Sequence, residues 1–136
     1  MNVGHFYFLC DDYFKDFPDP YLEKNKETIN GVLHGRPCFF SFMDNSTQIY
    51  WMIPFSSQVS KFKSIYQDKV TRTKKCDTIV FGDVLGHEKA FLIQNMCPAI
   101  PKYISSEYID KISSVPVKVD RELEIEIIQK SKKYWL

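Results

Sequence analysis

RPCFFSFMDNSTQIYWMIPFSS, residues 36–57, sets two apolar runs around a polar cluster. Phe39-Phe40-Ser41-Phe42 follows Arg36-Pro37, and Gln48 to Phe55 is rich in the aromatic and branched residues that suit a pleated surface. Between them, Asp44-Asn45-Ser46-Thr47 supplies side chains that bond their own backbone in turns. The pattern predicts a β-hairpin. An antiparallel sheet built on such a hairpin, with no regular βαβ alternation elsewhere, indicates an α+β domain. The same sheet can curl into a small barrel.

Downstream, the apolar strand runs straight into Ser56 and Ser57 and then a lysine-rich segment. Serine hydroxyls accept from the unpaired amides of a helix's first turn, so a helix over about 57–72 is predicted. Val59, Phe62, Tyr66 and Val70 then share one stripe, and Ser57 and Lys61 are neighbours on the opposite face. A hydroxyl, a helix N-terminus and an ammonium at one point suit a phosphate. The plainer reading is a capped helix with a solvated lysine. Between Gln58 and Lys75 stand Lys61, Lys63, Lys69, Arg72, Lys74 and Lys75 against Asp68 alone, a local charge of +5. The first thirty-five residues lean acidic through Asp11, Asp12, Asp16, Asp19, Glu23 and Glu27. A basic segment on a chain of net charge +1 points towards phosphates, although a solvated helix face has the same composition.

Further out, His5 to Cys10 reads as a first strand, with a short helical turn opening at Asp11. Pro18 and Pro20 begin a loop. After the basic helix, Thr78 to Gly82 and Lys89 to Asn95 read as strands, joined by a turn over Gly82 to Glu88. Pro98 and Pro101 break the chain, and Ile104 to Ile112 has the spacing of a short helix. Val115-Pro116-Val117 fits only an edge position. Asp120 opens a final helix with Leu123, Ile127 and Tyr134 at helical spacing.

The 136 residues make one domain, 1–136, large enough for a real core. The aromatic content of 15% favours a β-rich interior, with Trp51 and Phe91 in the core. No apolar run is long enough to span a membrane, and the N-terminus lacks the basic and apolar regions of a secretory signal. The expectation is a cytoplasmic protein without a membrane partner. Cys10, Cys38, Cys76 and Cys97 are scattered among apolar residues and read as buried thiols, not as zinc ligands or disulfides. His5, His34 and His87 are equally dispersed, and no spacing argues for a metal or other cofactor.

Across nearly its whole length the chain resembles the toxins of type III toxin–antitoxin systems, the group of ToxN, AbiQ, TenpN and, most closely, CptN. The resemblance rests on an ordered set. It begins with Phe6-Tyr7 and Tyr13, continues through Arg36-Pro37-Cys38-Phe39-Phe40, and reaches Ile49-Tyr50-Trp51-Met52-Ile53-Pro54-Phe55-Ser56-Ser57. Later members are Phe81-Gly82-Asp83-Val84-Leu85-Gly86, Ala90 to Pro98, Val115-Pro116-Val117 and Asp120 opening a helix. It implies a compact, strongly bent antiparallel sheet, a partly open barrel similar to the Kid/MazF toxins, with peripheral helices. It implies a metal-independent, sequence-selective endoribonuclease acting on cellular mRNA. It also implies a pseudoknot RNA antitoxin that the toxin processes and that inhibits it in a closed toxin–RNA assembly, with no DNA involved.

ToxN-like members end the central strand in Pro-Leu-Thr-Ser-Pro-Lys, whose hydroxyls and lysine belong to the active site. Ser56 and Ser57 match the hydroxyls. Val59 stands in the lysine's place, so Lys61, two residues on, is the candidate for its charge. Tyr13 resembles a tyrosine near the relatives' active site, able to orient RNA or stack on a base; an amphipathic packing role is the alternative.

Such an enzyme uses the RNA 2′-hydroxyl as nucleophile and leaves a 2′,3′-cyclic phosphate and a 5′-hydroxyl. Donors aimed at the nonbridging oxygens are the main catalytic resource. The expected catalytic set is therefore Ser57, Ser56, Lys61 and Tyr13. Arg36 offers a planar bidentate phosphate contact, the alternative being a surface arginine stacked beside Pro37. Lys63, Lys69, Arg72, Lys74 and Lys75 are candidate RNA-backbone contacts. Gln94 and Asn95 are candidates for reading base edges, or for closing a strand end. His34, in a Gly-flanked loop, is a weaker acid/base candidate. A non-catalytic RNA-binding module using the same basic helix is the alternative function, and a small barrel that binds a protein through exposed aromatics is a third.

Overall fold

The hairpin predicted over 36–57 is the centre of the molecule, a computed structural model that describes residues 1–17, 26–29 and 32–136, with 26–29 and 32–35 described by backbone alone. Strand β4 (Pro37–Asp44) pairs antiparallel with β5 (Ile49–Ser56). The Asp44 carboxylate closes the turn, accepting from the Ser46 amide and hydroxyl at 3.1 and 2.9 Å and from the Thr47 hydroxyl at 2.7 Å. A bulge between Phe40 and Phe42 leaves Ser41 unpaired. Such an extra residue bends the strand and redirects a side chain.

Around the hairpin, β1 (Phe6–Leu9) pairs with β4 on one side and with β9 (Ile104–Glu107) on the other. The outer edge of β5 is shared. Its first half pairs with β8 (Cys97–Ala99) and its end with β7 (His87–Leu92), which in turn pairs with β6 (Ile79–Val84). A 3-10 turn over Ile93–Asn95 links β7 to β8, opposite the point where Pro54 has no amide to give. The result, among the described residues, is a seven-stranded antiparallel sheet in the order β6-β7-β5-β4-β1-β9, with β8 beside β5. The sheet is not closed into a barrel. Strands β2 (Lys26–Ile29) and β3 (Val32–Gly35) form a separate ladder.

Strand alternation sorts the interior. Phe6, Phe39, Ile53, Phe91, Val80 and Val84 face helix α3 (Arg121–Trp135), whose Leu123 and Ile127 complete the main core. On the other face, Tyr7, Leu9, Cys38, Phe40 and Met52 meet Tyr13 of helix α1 (Asp11–Asp16). Beyond them, Ile79, Ala90 and Leu92 meet Phe62 of helix α2 (Val59–Thr73). One helix therefore covers one face and two helices the other. Leu123 of α3 packs directly onto Gly82, where any Cβ would collide with it. Asp120 caps α3 by accepting from the Leu123 amide at 2.9 Å, as its position predicts.

Several elements differ from expectation. Ile104 to Ile112 is not a helix: 104–107 is β9, and the following turn is tied by an Ile109–Pro116 bridge. The free edge of β1 needs hydrogen-bond partners, and Tyr108 extends the contact by donating to the Phe6 carbonyl at 2.8 Å. The predicted turn over 82–88 shrinks to Leu85-Gly86, both at positive φ, as a two-residue hairpin turn requires. The strand predicted over 89–95 ends at Leu92, and Pro98 lies inside β8. Tyr134 is exposed, and α3 buries Ser131 on its core side. His34 lies in β3 opposite Glu27, not in a loop. The loop opening at Pro18 and Pro20 lies outside the described residues.

Candidate functional site

The end of β5 and the start of α2 form the junction that the sequence singles out. Ser56 is the last residue of the β5–β7 ladder, opposite Ala90. Helix α2 begins at Val59, two residues later than predicted, with Gln58 in the cap position. Gln58 caps nothing with its side chain; its amide donates to Ser56 Oγ at 3.0 Å. Ser57 stands between strand and helix, exposed, and its carbonyl accepts from the Val59 amide at 2.9 Å. The serines therefore shape the turn before the helix and do not cap it.

This shift removes the argument that paired Ser57 with Lys61, since Ser57 is not in the helix. The Lys61 ammonium lies over the Phe62 ring, 5.4 Å from its centroid. Another lysine takes the position. The ladder pairs Phe55 with Phe91 and Ser56 with Ala90, and its next step sets Ser57 opposite Lys89. Lys89 Nζ donates to Ser57 Oγ at 2.7 Å. Sequence reading missed Lys89 because it lies thirty-two residues away and becomes a neighbour only once β5 and β7 are known to pair.

A further cation stands near the other edge of β5: the exposed Arg36 immediately precedes β4, whose pairing with β5 reaches Cys38 and Pro54 at this end. Alternation gives Ser56 and Ala90 the face covered by α2, and Lys89, paired with Gly82, the face covered by α3. In the first turn of α2, the Ser60 and Lys61 amides have no helix carbonyl four residues back. One end of the sheet thus gathers both serines, Arg36, Lys89 and a helix N-terminus.

The remaining candidates are more tightly engaged. Lys63 pairs with Glu88 at 3.1 Å, Arg72 with Asp68 at 3.1 Å and Lys75 with Asp77 at 3.7 Å. Lys69 donates to Thr78 Oγ1 at 3.0 Å and to Gln94 Oε1 at 2.9 Å. Lys74 is exposed in the left-handed position that ends α2. The basic segment is therefore laced with acids from α2 itself, from β7 and from the chain after the helix. Gln94 and Asn95 lie in the 3-10 turn, not at a strand end, and Asn95 Nδ2 is shielded from solvent without a partner among the described residues. Tyr13 is buried, donates its hydroxyl to the Pro98 carbonyl at 2.7 Å, and packs against Phe14, Phe17 and Tyr103. That is a packing role, joining α1 to β8.

Cys38, Cys76 and Cys97 are buried and all four cysteines are free thiols. A hydrogen bond with Cys97, together with burial, pushes the Cys38 thiol well above its ordinary pKa. A thiol so held is a poor nucleophile at neutral pH. Among the described residues, no group of three or more His, Cys, Asp or Glu side chains is placed to hold a metal ion. No helix among them is long and apolar enough to cross a membrane. No protein-family model and no curated protein matches the chain.

Proposed function

We propose that this chain is a metal-independent, sequence-selective endoribonuclease of the type III toxin kind, acting in the cytoplasm on mRNA and held in check by a pseudoknot RNA that it processes. The observation that supports the reading best is that one end of the sheet, at the β5–α2 junction, carries Ser56, Arg36, the first-turn amides of α2 and the bonded pair Ser57–Lys89. These are donors and cations, the equipment that a phosphodiester transition state needs. The two serines stand in the chain where the resemblance to ToxN-like toxins puts catalytic hydroxyls.

In the reaction the RNA 2′-oxygen bonds to phosphorus and loses its proton to water. The bond from phosphorus to the 5′-oxygen breaks, and that oxygen takes a proton from water. The products are a 2′,3′-cyclic phosphate and a 5′-hydroxyl, with nothing oxidised or reduced. Ser57 and the amides of α2 bond the nonbridging oxygens as negative charge grows there, while Arg36 holds a phosphate in the planar geometry that suits guanidinium. Lys61 supplies longer-range positive charge from the helix.

The test is incubation of RNA-free protein with a long RNA in EDTA, followed by mapping of the ends. Discrete cuts carrying 2′,3′-cyclic phosphates are expected. Intact RNA, bound in a strongly salt-dependent way by folded protein, would replace the nuclease with a binding module.

A further inference from the structure

We infer that Lys89 is the positioning residue for Ser57: its ammonium holds the hydroxyl so that the hydroxyl proton points at the phosphate. This rests on the endoribonuclease reading and assigns a role within it to a residue outside the basic helix. An ammonium has donors only, so in the 2.7 Å contact Ser57 Oγ must be the acceptor. The Ser57 hydrogen is then left to point away from Lys89, and the adjacent positive charge polarises it as a donor. A hydroxyl set in this way presents its hydrogen as a donor to an anionic oxygen.

The lysine is itself held in place. Its backbone lies inside the β6–β7 ladder opposite Gly82, and its side chain is half-buried. Its charge is also unspent. Lys63, Lys75, Lys118, Lys130 and Lys133 each have a carboxylate partner, whereas Lys89 has none within ion-pair distance among the described residues. The adjacent Glu88 is taken by Lys63 from α2. Lys61, the candidate from sequence, lies over the Phe62 ring and bonds no hydroxyl among the described residues. The Lys89 charge is therefore directed, through Ser57, at whatever anion meets the junction.

A double-mutant cycle tests this, with single-turnover cleavage in EDTA measured beside the Kd for an RNA carrying a 2′-deoxy residue at the mapped cut. Wild type, Lys89→Met, Ser57→Ala and the double variant are compared, with Lys89→Arg as the conservative replacement and thermal melting to establish folding. Lys89→Met should slow cleavage by about 100-fold, the lower end of the loss for a preorganised transition-state donor. Its Kd should change little. The double variant should be no slower than Ser57→Ala, because residues acting as a unit are not additive. Lys89→Arg should recover part of the rate. Wild-type cleavage by folded Lys89→Met, or additive losses in the double variant, overturns the assignment while leaving the nuclease standing. Wild type that leaves RNA whole removes the nuclease and this role together.

Discussion

Ser41 and Ser131 show how much a buried hydroxyl's environment matters. Both are fully buried, one at the β4 bulge and one on α3, with Oγ atoms 2.6 Å apart. Ser131 Oγ also donates to the Ile128 carbonyl at 3.0 Å, which uses its hydrogen. Ser41 must then be the donor between them. Ser41→Ala leaves Ser131 with its own donation intact and should cost about 1 kcal/mol. Ser131→Ala strands the Ser41 hydroxyl in the core and should cost more, towards about 3 kcal/mol. Urea melts of the two variants check the order, and an equal or inverted order would mean that the donor has been assigned the wrong way round. Neither serine announces itself in sequence, since a bulge that selects Ser41 is a property of pairing. Lys89 was hidden for the same reason. Ser56 and Ser57 were legible because a strand end and a helix start mark them locally.

Elements were legible where their partners are close in the chain. The β4–β5 hairpin carries its own turn, and α3 its own cap, so both stand nearly where the residues place them. The segment after Tyr103 was misread because Ile104, Tyr108, Ile109 and Ile112 keep a helical rhythm, while the unpaired edge of β1, about a hundred residues earlier, draws 104–107 into a strand. The turn of the hairpin carries a pH signature. Hydrogen bonds from Thr47 and then Ser46 hold the Asp44 carboxyl below its ordinary pKa. A carboxyl lowered on folding stabilises the native state above its unfolded pKa, and that contribution is lost as pH falls through the folded value. Asp44→Ala should therefore lower the Tm at neutral pH, with the gap from wild type closing below the usual carboxylate range. Melts of both proteins along a pH series check this. A gap independent of pH would make the side chain's role one of shape alone.

At the scale of the whole molecule, charge and topology together decide how RNA could be held. By sequence, six basic residues over 58–75 suggest a broad electrostatic platform. Folding spends much of it: Lys63, Arg72 and Lys75 meet carboxylates, and Lys69 turns to Gln94. Meanwhile the pairing of β5 with β7 and β4 brings Lys89 and Arg36 to the same end of the sheet as the serines. The cations thus move from a stripe along α2 to a point at its start. Each phosphate neutralised on a single strand contributes about −0.7 to the slope of log K against log salt. Contacts from Arg36 and Lys61, with Lys89 spent on Ser57, predict a slope of about −1.4, where a six-residue stripe would give about −4. Titrating a non-cleavable single-stranded RNA over a salt series measures it. A slope near the larger value would return the interface to the helix face, and a shallow one that Lys63→Met leaves unchanged would fix it at the junction, where the proposed nuclease places its reacting phosphate.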